Sequence, residues 1–187
     1  MLEIEQKYRC NNLDALKDQL LQLGATAGEI LLENDLYFRA PDRDFAVTDE
    51  AFRMRRIGDQ NYLTYKGPKR GGTVKKRTEL EIPLRDGEES AQQFVELLQH
   101  LGYRSSLIVS KKRSQYHWNL SSFPVVICLD EVENLGSFAE VEVLALESNE
   151  NEAEKVIHQA AEQLGLVQVE PRSYLRMLLE KIGEGRQ

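Results

Sequence analysis

Three Glu-x-Glu pairs recur along this chain: Glu3 and Glu5 in EIEQKY, Glu79 and Glu81 in ELEI, Glu140 and Glu142 in EVEV. On an extended strand, side chains two apart share a face, so each pair would hold two carboxylates side by side. Basic residues follow the same spacing: Arg53 with Arg55, Lys75 with Arg77, and Lys111 with Arg113. Lys7 continues the face of Glu3 and Glu5, Lys66 shares one with Tyr62 and Thr64, and Asp130 follows the apolar run VVICL. Clustered carboxylates suit hard cations such as Mg²⁺ or Mn²⁺. Arginine forks and lysines suit phosphate oxygens. Together these faces point to a metal-assisted reaction on a polyphosphate.

The elements that must carry these residues are strands and a few helices. Six further strand-like runs, LLENDLYFRA, AFRMRRI, YLTYKG, KKRTELEI, LIVSKKRSQYHWNL and VVICLDEV, are separated by turn signals at 40–42, 58–61, 67–72 and 134–137. Helical stretches follow the three Glu-x-Glu units and close with Leu-Gly at Gly24, Gly102 and Gly165. Asn12 stands at the N-cap of the first, and SYLRMLLEKI reads as a last helix. A mainly antiparallel sheet or barrel with a few helices fits this pattern.

Two readings of the charged faces compete. In an ordinary half-buried sheet they would face water. If the sheet closes with the charges inward, helices would cover the apolar outer face and the lumen would hold rows of both signs. Buried charge on that scale requires pairing or ligands, and a polyanion with divalent metals compensates both rows. Seven segments with tightly clustered charges favour the lumen.

Composition narrows the class. The 187 residues are 41% hydrophobic and 29% charged, which predicts one globular domain spanning 1–187. A net charge of -7 argues against a general nucleic-acid binder. Cys10 and Cys128 form no disulfide scaffold or zinc pattern, and His100, His117 and His158 lack metal-ligand spacing. No nucleophile–base signature stands out. The charged N-terminus and the lack of a membrane-length apolar run make cytoplasmic and soluble the expectation.

EIEQK matches the Glu-x-Glu-x-Lys signature of the CYTH superfamily, the triphosphate tunnel metalloenzymes. RMR, YKGP, RTELE, KKR, Asp130 and AEVEV follow in the expected order, and the resemblance runs from Glu3 to about Leu178. LDEVENLGSFAEVE, EPRSYLRMLL and YKGP are most similar to class IV adenylyl cyclases. The resemblance implies an α+β fold: a closed eight-stranded antiparallel β-barrel, open at both ends, with helices packed outside. It implies conversion of ATP to cyclic AMP and pyrophosphate with Mg²⁺ or Mn²⁺, two ions in all. Relatives hydrolyse thiamine triphosphate, tripolyphosphate or other triphosphates. A homodimer is also implied.

Carried over position by position, Glu3, Glu5, Asp130, Glu140 and Glu142 would hold metal. Glu79 and Glu81 would support them or join them. Lys7, Arg53, Arg55, Lys66, Arg77, Lys111 and Arg113 would cradle the triphosphate, with Lys7, Lys111 and Arg113 as catalytic groups. Arg172 is a further phosphate candidate, or a cap on the last helix. The sequence departs from many relatives at Arg39, where they carry an acidic residue. The basic stretch 67–77 reads either as a lid over the phosphates or as a solvated hairpin tip. Tyr37, Phe38 and Tyr62 either form a base pocket or belong to the core. Cyclase and triphosphatase would use the same charges, and a non-catalytic nucleotide binder would not need the carboxylates.

Overall fold

The computed structural model describes residues 2–71 and 74–184. Eight strands close into a barrel: β1 (Leu2–Arg9), β2 (Thr26–Arg39), β3 (Ala51–Ile57), β4 (Gln60–Lys66), β5 (Lys75–Pro83), β6 (Arg104–Leu120), β7 (Phe123–Val132) and β8 (Gly136–Ala145). Their order around the barrel is β1-β5-β4-β3-β2-β6-β7-β8, antiparallel at every junction. The fold class is the one the sequence implies.

Register turns the spacing of the charges into rings. On β1, Glu3 stands opposite Arg77 of β5, and Glu5 lies between Lys75 and Glu142. Lys7 faces Glu140 of β8. Asp35 of β2 is opposite Arg55 of β3, Glu33 opposite Lys111 of β6, and Arg113 opposite Asp130 of β7. All of these point inward, while their apolar neighbours such as Ile4, Met54, Ile127 and Val141 point outward.

Helices α1 (Leu13–Gln22), α2 (Phe45–Thr48), α3 (Glu88–His100), α4 (Glu150–Gln163) and α5 (Tyr174–Glu184) complete the chain. The side chain of Asn12 caps α1 by accepting from the Ala15 N–H at 3.0 Å, and Gly24 leaves that helix at φ +85°. Leu16 and Leu20 of α1, with Val156, Ile157 and Ala160 of α4, bury the outer face of β1, β7 and β8. Ala91 and Leu98 of α3 cover Phe38 and Met54 on β2 and β3. Coverage is incomplete: Ile30 and Leu32 on β2 and Leu80 and Ile82 on β5 are each more than half exposed. Three helices of 10 to 14 residues cannot wrap eight strands.

Helix α5 behaves differently. Its Tyr174, Met177 and Leu178 are buried against Tyr37, Val109, Val132 and Phe138. Those four strand residues share the inward face with Asp35, Lys111, Asp130 and Glu140. So α5 fills one end of the barrel, where a tunnel open at both ends was implied. The reason lies in composition: that end is lined by apolar and aromatic side chains that would otherwise meet water. No helix among the described residues is long and apolar enough to cross a membrane.

Candidate active site

The lumen divides into two walls. On the first, strands β2, β3 and β6 bring together Arg53, Arg55 and Lys111 with Glu33 and Asp35. Asp35 accepts from Arg53 at 2.8 Å, from Arg55 at 2.7 and 2.9 Å, and from Lys111 at 3.3 Å. Glu33 pairs with Lys111 at 2.5 Å and with Arg55 at 2.8 Å. Burial works to raise both acids, yet Arg53 and Lys111 hold Asp35 well below the ordinary carboxylate value, and Lys111, Arg113 and Arg55 lower Glu33. Both acids are therefore ionised within a cationic wall.

The second wall is built by β1, β5, β7 and β8. Lys66 of β4 reaches across to Glu3 at 2.9 Å and Glu79 at 2.7 Å, and Lys75 reaches Glu5 at 3.0 Å. Lys7 lies 3.7 Å from Glu140. Arg113 grips Asp130 with two hydrogen bonds of 2.8 and 2.6 Å, contacts Glu140, and lies 3.4 Å from Glu142. The Tyr174 hydroxyl donates to Asp130 at 2.8 Å, and its ring lies 3.8 Å from the Lys7 ammonium.

Carboxylate oxygens of Glu3, Glu5 and Glu142 lie within 4.8 Å of one another. Their environments are unequal. Burial raises Glu3 well above its ordinary value despite Lys66, with Glu5 and Glu79 adding to the rise. Burial likewise pushes Glu142 up to about 7, against Arg113 and with Glu140 and Glu5. Glu5 is lowered, since Lys75, Lys66 and Lys7 outweigh its burial. Burial also pushes the Lys7 ammonium down to about 8, with Lys75 contributing. An all-oxygen donor set with two carboxylates unfavourably ionised fits a hard divalent cation, which would relieve both.

Arg77 stands apart from the other lumen cations. It is buried, its Nε has no hydrogen-bond partner, and no carboxylate among the described residues lies within ion-pair distance of it. The Nε of Arg53 is likewise buried without a partner.

Most residues singled out from the sequence meet in this lumen. Asp130 and Glu140 are engaged by Arg113, and Glu140 also by Lys7, away from the Glu3–Glu5–Glu142 trio. Glu81 lies at an exposed position, accepting from Thr64 at 3.2 Å. Arg172 binds Glu170 at 2.6 and 2.7 Å and Glu180 at 2.9 Å, at the start of α5. Arg39 is exposed in register with Arg104. In the basic stretch, Lys69 pairs with Asp49 and Arg70 with Glu147, while Gly72 and Thr73 lie outside the described residues. Tyr37 lies under α5, Phe38 belongs to the core beneath α3, and Tyr62 is in register with Arg55. Glu33, Asp35 and Tyr174 were not singled out. The alternation Glu33, Asp35, Tyr37 against Leu32, Asn34, Leu36 was the available signal for the first two. A concavity of about 550 Å³ on the outer wall presents polar groups that already pair, Ser110 with Asn34 and Lys112 with Glu131.

A family model described as the CYTH domain matches residues 1–174. The Methanocaldococcus jannaschii protein MJ0240, whose name carries a provisional adenylate cyclase assignment, is 32% identical over 176 residues. That alignment covers 94% of this chain and 95% of the relative. Adenylate cyclase CyaB of Aeromonas hydrophila is 31% identical over 193 residues, covering 96% and 89%. The structure of PH1819 from Pyrococcus horikoshii OT3 is similar with a TM-score of 0.84 and 35% identity, covering 96% and 99%. The match runs through every barrel strand to the first residue of α5, and the chain belongs to the CYTH domain family.

Proposed function

We propose that the barrel binds a nucleoside triphosphate and converts ATP to cyclic AMP and pyrophosphate. The observation that carries this reading is the juxtaposition of Arg77, a buried cation without a carboxylate partner among the described residues, with the trio Glu3, Glu5 and Glu142. Glu3 and Arg77 are cross-strand neighbours, so an anion on one and a cation on the other would touch. The adenylate cyclase names of two relatives above 30% identity supply the reaction class.

In this reading the ribose 3′-hydroxyl attacks the α-phosphorus and pyrophosphate leaves in line. Glu3, Glu5 and Glu142 would hold Mg²⁺ or Mn²⁺, which acidifies the attacking hydroxyl and neutralises the leaving oxygens when bound. Arg77 and the free Nε of Arg53 donate to phosphate oxygens and stabilise the charge that develops on them. Lys7, at about 8, keeps its proton at neutral pH and holds positive charge against the chain. Asp130 and Tyr174 orient Arg113 from behind.

The test is to incubate purified protein with ATP and, separately, with tripolyphosphate, each with Mg²⁺ or Mn²⁺, and to identify every product. Cyclic AMP with stoichiometric pyrophosphate supports the cyclase. Orthophosphate without cyclic AMP replaces it with a triphosphatase using the same lumen. Glu5→Gln should lower kcat/KM by more than about 100-fold, the upper end for groups one layer further from a metal. Unchanged turnover in that variant would remove the assigned carboxylate site.

A further inference from the structure

Glu33 and Asp35 are a puzzle for a polyanion site. Two buried, ionised carboxylates hold the cations of this wall in place, but they do so at the expense of its pull on phosphates, because each repels the incoming chain. Both side chains are at most 2% exposed, so water screens them little. They are also not accidents of long reach. Sheet register sets Asp35 opposite Arg55 and Glu33 opposite Lys111, fixing the pairs through the backbone. Asp35 alone touches Arg53, Arg55 and Lys111. Three cations thus face two carboxylates, and the wall is left with a net charge of about +1 by this pairing.

On the opposite wall Lys66, Lys75 and Arg113 are already taken up by Glu3, Glu5 and Glu142, which lessens their pull on a bare polyanion. A ligand matches both walls only when it brings its own divalent cations. We propose that Asp35, seconded by Glu33, is a specificity-determining residue that makes the tunnel select a metal-loaded triphosphate over the metal-free anion. This rests on the triphosphate reading above. A purely structural Asp35 makes the contrary prediction: its loss would let the three cations splay and would weaken every anion alike.

Asp35→Asn separates the two, because the amide keeps an oxygen acceptor for the arginine N–H groups while removing the charge. Calorimetric titration with tripolyphosphate in EDTA, and again with Mn²⁺, reads the difference. Expected in EDTA is affinity at least about tenfold tighter than that of the unaltered protein, about 1.4 kcal/mol. With Mn²⁺ the change should stay within about threefold, since the metal already offsets the repulsion. Glu33→Gln should shift in the same direction, and Asp35→Glu should restore the discrimination. Equal or weaker metal-free binding in a folded Asp35→Asn overturns the proposal. If that variant fails to fold, Glu33→Gln is held to the same direction and decides the matter. If the unaltered protein binds tripolyphosphate neither with nor without Mn²⁺, the triphosphate reading fails and the proposal with it.

Discussion

The two walls of the lumen differ in how complete they are. On the β2–β3–β6 wall every named charge has an ion-pair partner, although the Arg53 Nε and the Glu33 Oε2 make no hydrogen bond, and both acids are held below their ordinary values. On the β1–β8 wall, Glu3 and Glu142 are pushed upward by burial, and among the described residues no carboxylate lies within ion-pair distance of Arg77. Within one barrel, then, the balance of buried charge is closer to complete on one half than on the other. Buried charge by itself does not mark a site. Uncompensated buried charge does.

Breaking a finished pair should cost the most. Lys111→Met strips Glu33 of its shortest ion pair in a dry environment, leaving Arg53 and Arg55 to serve both acids, and should destabilise by about 3–5 kcal/mol, read by urea unfolding. A loss below about 1 kcal/mol would mean that water reaches that wall.

The unfinished wall should respond with the opposite sign. Between its ordinary value of 4.5 and about 7, folded Glu142 keeps a proton that the unfolded chain has released. Stability in EDTA therefore falls as pH rises through that window and stays lowered above it. Glu142→Gln removes this penalty and should stabilise the metal-free protein by about 3 kcal/mol at pH 8, with little effect at pH 4.5. An equally stable variant at pH 8 would show that the wall is not frustrated, and the contrast between the walls would collapse.

The rim offers a smaller control. Glu170 is lowered to about 2, chiefly by Arg172, against burial and with help from Arg9, and both arginines keep contact with water. Its contribution is present above pH 4.5 and is lost as pH falls toward 2. Glu170→Gln should cost about 1–2 kcal/mol at pH 7 after allowing for screening, and nothing near pH 2. Thermal unfolding at the two pH values distinguishes this paired rim from the lumen.

Much of this was legible in residue order. The period of two placed Glu3, Glu5, Lys7, Arg53, Arg55, Lys111 and Arg113 on common faces, because strand geometry alone decides that. Closure followed from the excess of charge on those faces. Glu33 and Asp35 carried the same signal but sat in LLENDLYF, where neighbouring Asn34 blurs the alternation. Tyr174 was illegible for another reason: its amphipathic helix reads like any helix lying on a wall. Docking into the barrel end depends on Tyr37, Val109, Val132 and Phe138 from four separate strands. The division of the carboxylates, with Asp130 and Glu140 held by Arg113 while Glu3, Glu5 and Glu142 converge on one another, depends on angstrom-scale reach that spacing does not encode.

The docking of α5 has one more consequence. A passage stopped at one end is a cul-de-sac, and traffic in it is last-in, first-out. Whatever penetrates deepest toward Tyr174 must wait for everything nearer the entrance to depart. A linear ligand entering there would insert a terminus and could not be threaded through, so the architecture alone would favour chain ends over chain interiors.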